Sequence, residues 1–143
     1  MWNCEYGVEV GVTGAEVWAR YTDLDTWPEW YGALSSIRLD GPFAAGSEGV
    51  IEQSMESGNR TAPVPFTLTD VTDGSGFTLL TRIGGQVEMR SVCAIAPAGD
   101  GVRITHRAEL DGPGSEQMGA QIGAQLEEAL RTGVDRLAKV LTS

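Results

Sequence analysis

The sequence of 143 residues is poor in the side chains that build metal and nucleophile sites: it holds one histidine, His106, and two cysteines, Cys4 and Cys93. With one histidine and no CxxC or His-paired cysteine spacing, no metal triad can be assembled, and no Ser/His/Asp or Cys/His constellation can be assigned. The two cysteines are therefore interpreted as buried, reduced packing residues. We accordingly expect neither a metal nor a cofactor.

Basic side chains are also scarce. Ten Lys and Arg stand against twenty Asp and Glu, and the formal net charge is −10. Because this charge would repel phosphate backbones and anionic membrane surfaces, nucleic acid is not expected as a partner. The N-terminal residues lack a basic region followed by an apolar run, and no stretch reaches the ~18 consecutive apolar residues of a membrane span. We therefore expect a cytoplasmic protein without a membrane span.

Apolar side chains, by contrast, are plentiful. Hydrophobic residues make up 41% of the sequence, and four Trp, three Tyr and three Phe supply large side chains for packing. A chain of this length buries roughly 68 to 70% of the surface that its unfolded form exposes, which is enough for one sizeable core. No internal repeat, low-complexity tract or linker interrupts the sequence. Residues 1–143 are therefore predicted to form one domain.

Alternation of apolar and polar residues predicts strands over most of the first 111 residues. Residues 2–12 have the period of a half-buried strand. Six further runs, separated by Gly, Asp and Pro, lie between residues 35 and 111 and are typical of antiparallel strands joined by hairpins. Between these regions, the capping box TGAE at 13–16 begins a short helix. DLDTWPEWYGAL then predicts a second short helix over about residues 27–34.

After DGPGS the period becomes helical, with Ser115 as the predicted N-cap. The apolar stripe of this helix consists of Met118, Ile122, Leu126, Leu130, Val134, Leu137 and Leu141. A helix over residues 116–141 would be about 39 Å long, enough to cross a sheet. Few arrangements bury every apolar face of these elements. We predict an α+β fold in which a curved, seven-stranded antiparallel sheet surrounds the C-terminal helix and two short helices close one end.

This order of elements resembles the helix-grip fold of the START-related (SRPBCC) superfamily over essentially the whole chain. EVWARYTDLDTWPEWYGAL is similar to the first helix pair of that superfamily, PFAAGSEGVI to its glycine-containing turn, and GDGVRITHRAEL to the strand before its last helix. The nearest branch is the polyketide cyclase/dehydrase-like group. Because that group includes cyclases, lipid carriers and stress-response regulators, the resemblance implies a fold more than a reaction.

Two functions are expected from this combination. The first is a cofactor-independent cyclase or dehydratase whose internal cavity holds a hydrophobic, polyketide-like or aromatic small molecule, so that proximity supplies much of the rate. The alternative is a non-catalytic carrier or sensor of such a molecule. An enzyme needs a titratable group within reach of the ligand, whereas a carrier needs only shape and an apolar lining. A module that binds protein through the sheet edge is a third alternative, and a homodimer is allowed for.

The orientation of His106 bears on that choice. In GVRITHRAEL, His106 shares the parity of the apolar residues, so it is predicted to point inward, under the sheet. Near its unperturbed pKa of ~6.5 it could act as a general acid or base. The candidate groups that could assist it are Tyr6, Gln53, Thr81 and Ser91. The alternative, which we favour, is a neutral histidine that bonds one hydroxyl or water.

The same phases predict a cavity between the sheet and the C-terminal helix. Its lining is expected to come from Gln53, Met55, Phe66, Leu68, Leu79, Thr81, Met89, Ser91, Cys93, Ile104, Met118, Ile122 and Leu126. Trp27, Trp30 and Tyr31 could stack on an aromatic ligand, although packing is the favoured interpretation. Gly119 and Gly123 either leave room for the cavity or bring helix and sheet together. In the first case, Gly123→Leu would abolish ligand uptake without unfolding the protein.

Overall fold

The computed structural model describes residues 1–31, 34–53, 63–83 and 86–142, except for the side chains at positions 34, 35, 53 and 83. The strands are β1 (Trp2–Val10), β2 (Leu34–Asp40), β3 (Glu48–Gln53), β4 (Val64–Thr72), β5 (Gly76–Ile83), β6 (Val87–Ala98) and β7 (Gly101–Asp111). The helices are α1 (Gly14–Thr22), a 3₁₀ helix (Leu24–Glu29) and α2 (Ser115–Leu141).

The strands form one antiparallel sheet in the order β1-β7-β6-β5-β4-β3-β2, so the predicted seven-stranded antiparallel sheet is confirmed. The first strand lies beside the last one, and His106 on β7 is opposite Tyr6 on β1 and Cys93 on β6. Side chains at paired positions stand on the same face of a sheet. This register therefore places residues from three strands around His106.

The core lies on the inner face of the sheet, beneath α1, the 3₁₀ helix and part of α2. Its largest fully buried side chains are Trp27, Trp30, Tyr21, Phe77, Leu68, Ile104, Leu110, Leu137, Val17 and Val134. Aromatic rings meet edge to face at its centre, with ring centroids 5.0 Å apart for Tyr21 and Phe77 and 5.1 Å apart for Phe43 and Phe77. Such pairs add about 0.5–1.5 kcal/mol beyond the burial of their area. The aromatic residues thus tie the short helices to the sheet.

Helix α2 packs mainly against β1 and β7. Near its start, Gly119 and Gly123 face the indole of Trp2 on β1, and a Cβ atom at Gly123 would lie 2.7 Å from Cζ2 of that indole. These glycines therefore bring helix and sheet together and leave no cavity there, because the indole fills the space. The expectation for Gly123→Leu is corrected accordingly: a leucine would displace Trp2 and disturb packing instead of blocking ligand uptake.

The helix starts were predicted with mixed success. The Thr13 side chain accepts a hydrogen bond from the Glu16 amide at 3.1 Å, so the capping interaction at the start of α1 is confirmed. The second short helix was expected over about residues 27–34, which was wrong: it is a 3₁₀ helix over Leu24–Glu29. It begins earlier because the Thr26 amide donates to the Asp23 carbonyl at 3.0 Å and closes the first turn. Residues 32 and 33 lie outside the described ranges.

The start of α2 differs from the prediction by one residue. Its N-cap is Gly114, which has φ 84° and provides no side-chain cap, and Ser115 is the first helical residue. Glycine adopts this left-handed conformation without the steric cost of a Cβ atom. A serine in place of Gly114 could accept a capping hydrogen bond, but the positive φ would strain it. The geometry of the turn therefore favours glycine at the N-cap, even though glycine has no side chain to cap the helix. No helix in the described ranges is long and apolar enough to cross a membrane.

Candidate functional site

A cavity of about 270 Å³ lies between α2 and the inner face of β5, β6 and β7, beside the 3₁₀ helix. Its lining consists of Trp27, Trp30, Tyr31, Leu79, Met89, Ser91, Val92, Cys93, His106, Arg107, Ala108, Leu126, Ala129, Leu130 and Gly133. The position follows from the packing of α2, which runs mainly along β1 and β7 and leaves the inner face of β5 and β6 without extensive helical cover. The cavity lies along one side of α2, and its lining side chains are mainly apolar and aromatic.

A larger cleft, of about 450 Å³, lies over β3, β4 and β5 and is lined in part by Asp40, Glu48 and Arg82. Its lining mixes opposite charges, whereas the cavity beside α2 combines an apolar lining with a few buried polar groups. An apolar lining with a few buried polar groups is typical of small-molecule sites. We therefore take the cavity beside α2 as the candidate site.

The cavity brings together many of the residues predicted from the sequence. These are Trp27, Trp30, Tyr31, Leu79, Met89, Ser91, Cys93, His106 and Leu126. The alternation on β6 accounts for Met89, Ser91 and Cys93, since residues two positions apart on a strand share a face. On α2, the sequence pattern indicated Leu126 but not Ala129 or Gly133, because small residues carry little periodic hydrophobic signal.

Other candidates lie elsewhere. Phe66, Leu68 and Ile104 are buried in the hydrophobic core, and Thr81 is also buried. Met118 and Ile122 are half-buried on α2 and do not line the cavity. Of the remaining candidates, Met55 and the side chain of Gln53 lie outside the described parts of the structure. The alternation pattern identified the inner face but did not show where α2 covers it.

Tyr6 stands opposite His106 in the sheet register, but its hydroxyl is bonded to α2 and its side chain does not line the cavity. Its hydroxyl donates to a carboxylate oxygen of Asp135 at 2.8 Å, and the guanidinium carbon of Arg131 lies 5.4 Å from the centroid of its ring. The hydrogen bond to Asp135 is the main reason why the pKa of Tyr6 is raised. The structure therefore ties the Tyr6 hydroxyl to α2, and Tyr6 does not line the cavity.

His106 points inward, as the parity of β7 predicted, and is 5% exposed. Its Nε2 atom lies 2.8 Å from the hydroxyl oxygen of Tyr21, which α1 carries. Burial lowers the pKa of His106 to about 4, so the imidazole is neutral at neutral pH. Burial likewise raises the pKa of Tyr21 well above its usual value. The two residues form a neutral, hydrogen-bonded pair, of which His106 lines the cavity and Tyr21 is buried behind it.

Sequence reasoning missed Tyr21. Val17 and Tyr21 are the buried residues of α1 and stand four positions apart, which marks one helix face. That spacing identifies Tyr21 as a packing residue, but its partner lies 85 positions further along the chain. No local pattern links the two, so the pairing required the tertiary structure.

Cys93 and Tyr31 add no charge to the cavity. Burial raises the pKa of the Cys93 thiol, and both cysteines are free and buried, in agreement with their interpretation as packing residues. Burial is also the main reason why the pKa of Tyr31 is raised to about 12, with a smaller contribution from Cys93. The lining residue Arg107 is already engaged, with its Nε 2.8 Å from a carboxylate oxygen of Glu109.

The tryptophans pack in the core, the interpretation favoured for them, and they also line the cavity. Trp27 and Trp30 are 0% and 2% exposed, and the ring of Trp27 stacks on Tyr31 with centroids 5.8 Å apart. They are therefore packed core residues that also form one wall of the cavity. The Trp27 indole donates to the Tyr21 carbonyl at 2.9 Å. The Trp30 indole nitrogen is buried and has no hydrogen-bond partner in the described structure.

The geometry and the sequence together point to one family. The family model described as "Polyketide cyclase / dehydrase and lipid transport" matches residues 1–142. The chain belongs to this family. The membership confirms the resemblance derived from the sequence, and it accounts for the curved sheet around a long C-terminal helix. No curated protein sequence matches the chain. Within the described residues, no group of three or more His, Cys, Asp or Glu could hold a metal ion.

Solved structures agree with this polyketide cyclase/dehydrase and lipid transport fold. A Nitrosomonas europaea protein is 20% identical with a TM-score of 0.80, over 98% of this chain and 94% of that one. The di-domain ARO/CYC protein StfQ, from the steffimycin biosynthetic pathway, is 12% identical with a TM-score of 0.78, over 97% of this chain and 49% of StfQ. A STAR-related lipid transfer protein fragment from Xanthomonas axonopodis is 14% identical with a TM-score of 0.68, over 99% and 86%. At these identities the likeness shows the fold alone.

Proposed function

We propose that this member of the family binds an uncharged, hydrophobic small molecule of one or two rings in the cavity beside α2. The observation that carries this proposal is the pairing of an apolar, aromatic wall with a neutral His106 whose Nε2 atom is already engaged by Tyr21. Apolar pockets with a few placed polar groups are the usual form of small-molecule sites. The family description, which names both cyclase activity and lipid transport, is compatible with such a ligand.

The size of the cavity limits the ligand. Pockets for drug-sized molecules measure roughly 300–1,000 Å³, and this cavity, at about 270 Å³, is slightly smaller. A long acyl chain or a large polycyclic molecule would exceed it. Flat ring systems would fit best, since Trp27 and Trp30 can contact their faces. We therefore expect compounds of the size of a substituted naphthalene to be bound and long-chain lipids to be excluded.

The polar groups favour binding over acid–base chemistry. A general acid or base works best when its pKa lies near the operating pH. Burial places the pKa of His106 at about 4 and raises the pKa values of Tyr31 and Cys93, so these groups stay neutral across the physiological range. A neutral wall is suited to holding an uncharged ligand. The carrier or sensor function is therefore the better supported of the two considered.

Cyclase or dehydratase activity is the second candidate, because His106 and Ser91 line the same cavity. Confinement alone can fold a flexible intermediate and supply part of the rate without a strong base. Such an enzyme would convert a bound carbonyl compound, whereas a carrier would release it unchanged. Chromatography with mass spectrometry of the recovered ligand after prolonged incubation distinguishes the two: an unchanged mass and retention time support carriage, whereas loss of water or an isomer of equal mass supports catalysis.

Binding can be tested by isothermal titration calorimetry with 2-acetylnaphthalene, 2-ethylnaphthalene and palmitate. The wild-type protein should bind the naphthalenes and not palmitate. Ala129→Phe, which places a ring in the cavity lining, should weaken binding at least about tenfold, a loss of 1.4 kcal/mol. Ala124→Phe is the matched control, since Ala124 is, like Ala129, an exposed alanine on α2 but lies outside the lining. Absence of naphthalene binding, or equal losses in the two variants, would overturn the proposed site.

A further inference from the structure

The hydrogen bond between Tyr21 and His106 determines where the imidazole proton lies. The Tyr21 side chain is fully buried and does not line the cavity, so neither water nor ligand can accept its phenolic hydrogen. Nε2 of His106 is the partner within reach, at 2.8 Å. Leaving a buried donor without an acceptor costs about 1–3 kcal/mol, so the hydroxyl donates to Nε2. A neutral imidazole that accepts at Nε2 carries its proton on Nδ1.

That Nδ1–H group faces the cavity. His106 lines the cavity, and its ring is bonded to the protein through Nε2. In the described structure, the fully buried side-chain nitrogens without a hydrogen-bond partner are Trp30 Nε1 and Arg107 Nε, the second of which meets Glu109 only as an ion pair, and His106 Nδ1 is not among them. Nδ1 is therefore an accessible donor, surrounded by apolar and aromatic groups. Donors in such a setting favour a ligand that supplies the missing acceptor.

The acceptor should be uncharged. Arg107, the cationic residue of the lining, is paired with Glu109, and its Nε lies 2.8 Å from that carboxylate. His106 itself stays neutral, so no free positive charge faces the cavity from its described lining. A carboxylate would lose its hydration on entry without gaining a counter-charge, which is strongly unfavourable. A ketone, aldehyde, quinone or ester carbonyl avoids that desolvation cost.

We propose that Nδ1–H of His106, fixed in this tautomer by Tyr21, selects aromatic ligands that carry an uncharged carbonyl oxygen. The proposal rests on the cavity being a ligand site, as proposed above. It assigns Tyr21 the role of a positioning residue and His106 that of the specificity-determining contact. Ser91, whose partner in the sheet register lies two residues from His106 on β7, lines the same cavity and provides a competing hydroxyl that the experiment must separate.

The test compares three ligands of one skeleton by calorimetry at pH 7.5: 2-acetylnaphthalene, 2-ethylnaphthalene, which lacks the acceptor, and 2-naphthoate, which carries a charge. The wild-type protein should prefer the ketone over both others by about tenfold, the worth of one net hydrogen bond. His106→Gln, whose amide can both accept from Tyr21 and donate to the ligand, should keep the preference. His106→Phe should lose it while still binding 2-ethylnaphthalene, and Ser91→Ala should retain it.

A ketone preference that disappears in Ser91→Ala and persists in His106→Phe would overturn the assignment. Equal wild-type affinities for the ketone and the hydrocarbon would overturn the selectivity and leave the binding site standing. Absence of binding by all three compounds would instead refute the proposed function on which the selectivity rests. Each of these three results contradicts a different claim: the residue assigned, the ketone selectivity, or the ligand site itself.

A second measurement needs no variant. The chain has a single histidine, so the imidazole nitrogens give unambiguous signals in a long-range ¹H–¹⁵N spectrum. The free protein should show the Nδ1–H tautomer, and 2-acetylnaphthalene should shift the Nδ1 signal more than 2-ethylnaphthalene does. Detection of the Nε2–H tautomer, or equal shifts with both compounds, would contradict the proposal even if no His106 variant folds.

Discussion

The two halves of α2 use small residues in opposite ways. In the first half, Gly119 and Gly123 receive the indole of Trp2, and β1 is in direct contact with the helix. In the second half, Ala129 and Gly133 line the cavity, with the inner face of β6 across from them. The same residue types thus give a closed contact on one side and an open space on the other. What differs is the side chain supplied by the opposing strand.

The largest expected effect concerns pH, because His106 on β7 is buried beside the cavity, next to the second half of α2. Its folded-state pKa is about 4, below the unfolded value of 6.5, so the unfolded state binds the extra proton first. The free energy of unfolding should therefore fall as the pH drops from 6.5 to 4, by about 3 kcal/mol from this residue. Urea unfolding of the wild type at pH 7 and pH 4.5 measures the loss.

The protein also carries twenty acidic residues, so the contribution of His106 is isolated with His106→Gln. The variant should lose less stability than the wild type between pH 7 and pH 4.5 by most of that amount. Parallel losses in the two proteins would show that His106 is not buried and neutral as described.

A smaller loss is expected from Gly119→Ala in the closed half. A Cβ atom at Gly119 would lie 2.8 Å from Cβ of Trp2, which is close to the backbone and has little freedom to move. Overpacking of this kind costs about 1–3 kcal/mol, more than the gain in helix propensity. We expect a net destabilisation of about 1 kcal/mol or more, measured as a lower urea midpoint with an unchanged slope. Increased stability would show that the helix is not in tight contact with Trp2.

The smallest effect, of opposite sign, is expected from Gly133→Ala in the open half. A Cβ atom there would lie 3.5 Å from the carbonyl oxygen of Trp30, an ordinary contact distance. Alanine is favoured over glycine within helices by up to about 1 kcal/mol, so the variant should be as stable as the wild type or slightly more stable. Measured beside Gly119→Ala, it is the matched control. If both variants lost similar stability, the contrast between the two halves would be wrong.

The sequence predicted the elements well because their periods are local. The alternation on β6 and β7 correctly placed Met89, Ser91, Cys93 and His106 on the inner face. Two features were not predictable in this way. The position of α2 over the sheet depends on the fit of Trp2 against two glycines, and the state of His106 depends on Tyr21. Both involve residues far apart in the chain, about which periodicity carries no information.

The pairing of β1 with β7 bears on how the molecule acquires its shape. β1 needs a partner strand that begins at Gly101, and Trp2 needs the glycines of α2, so neither contact can form while only the first part of the chain has been synthesised. Contacts between such distant segments raise the contact order and slow folding. During synthesis, β1 should stay without its partner until β7 has emerged from the ribosome. Residues of β7 and α2, which are translated long after β1, would therefore complete both the edge of the sheet and the wall of the ligand site.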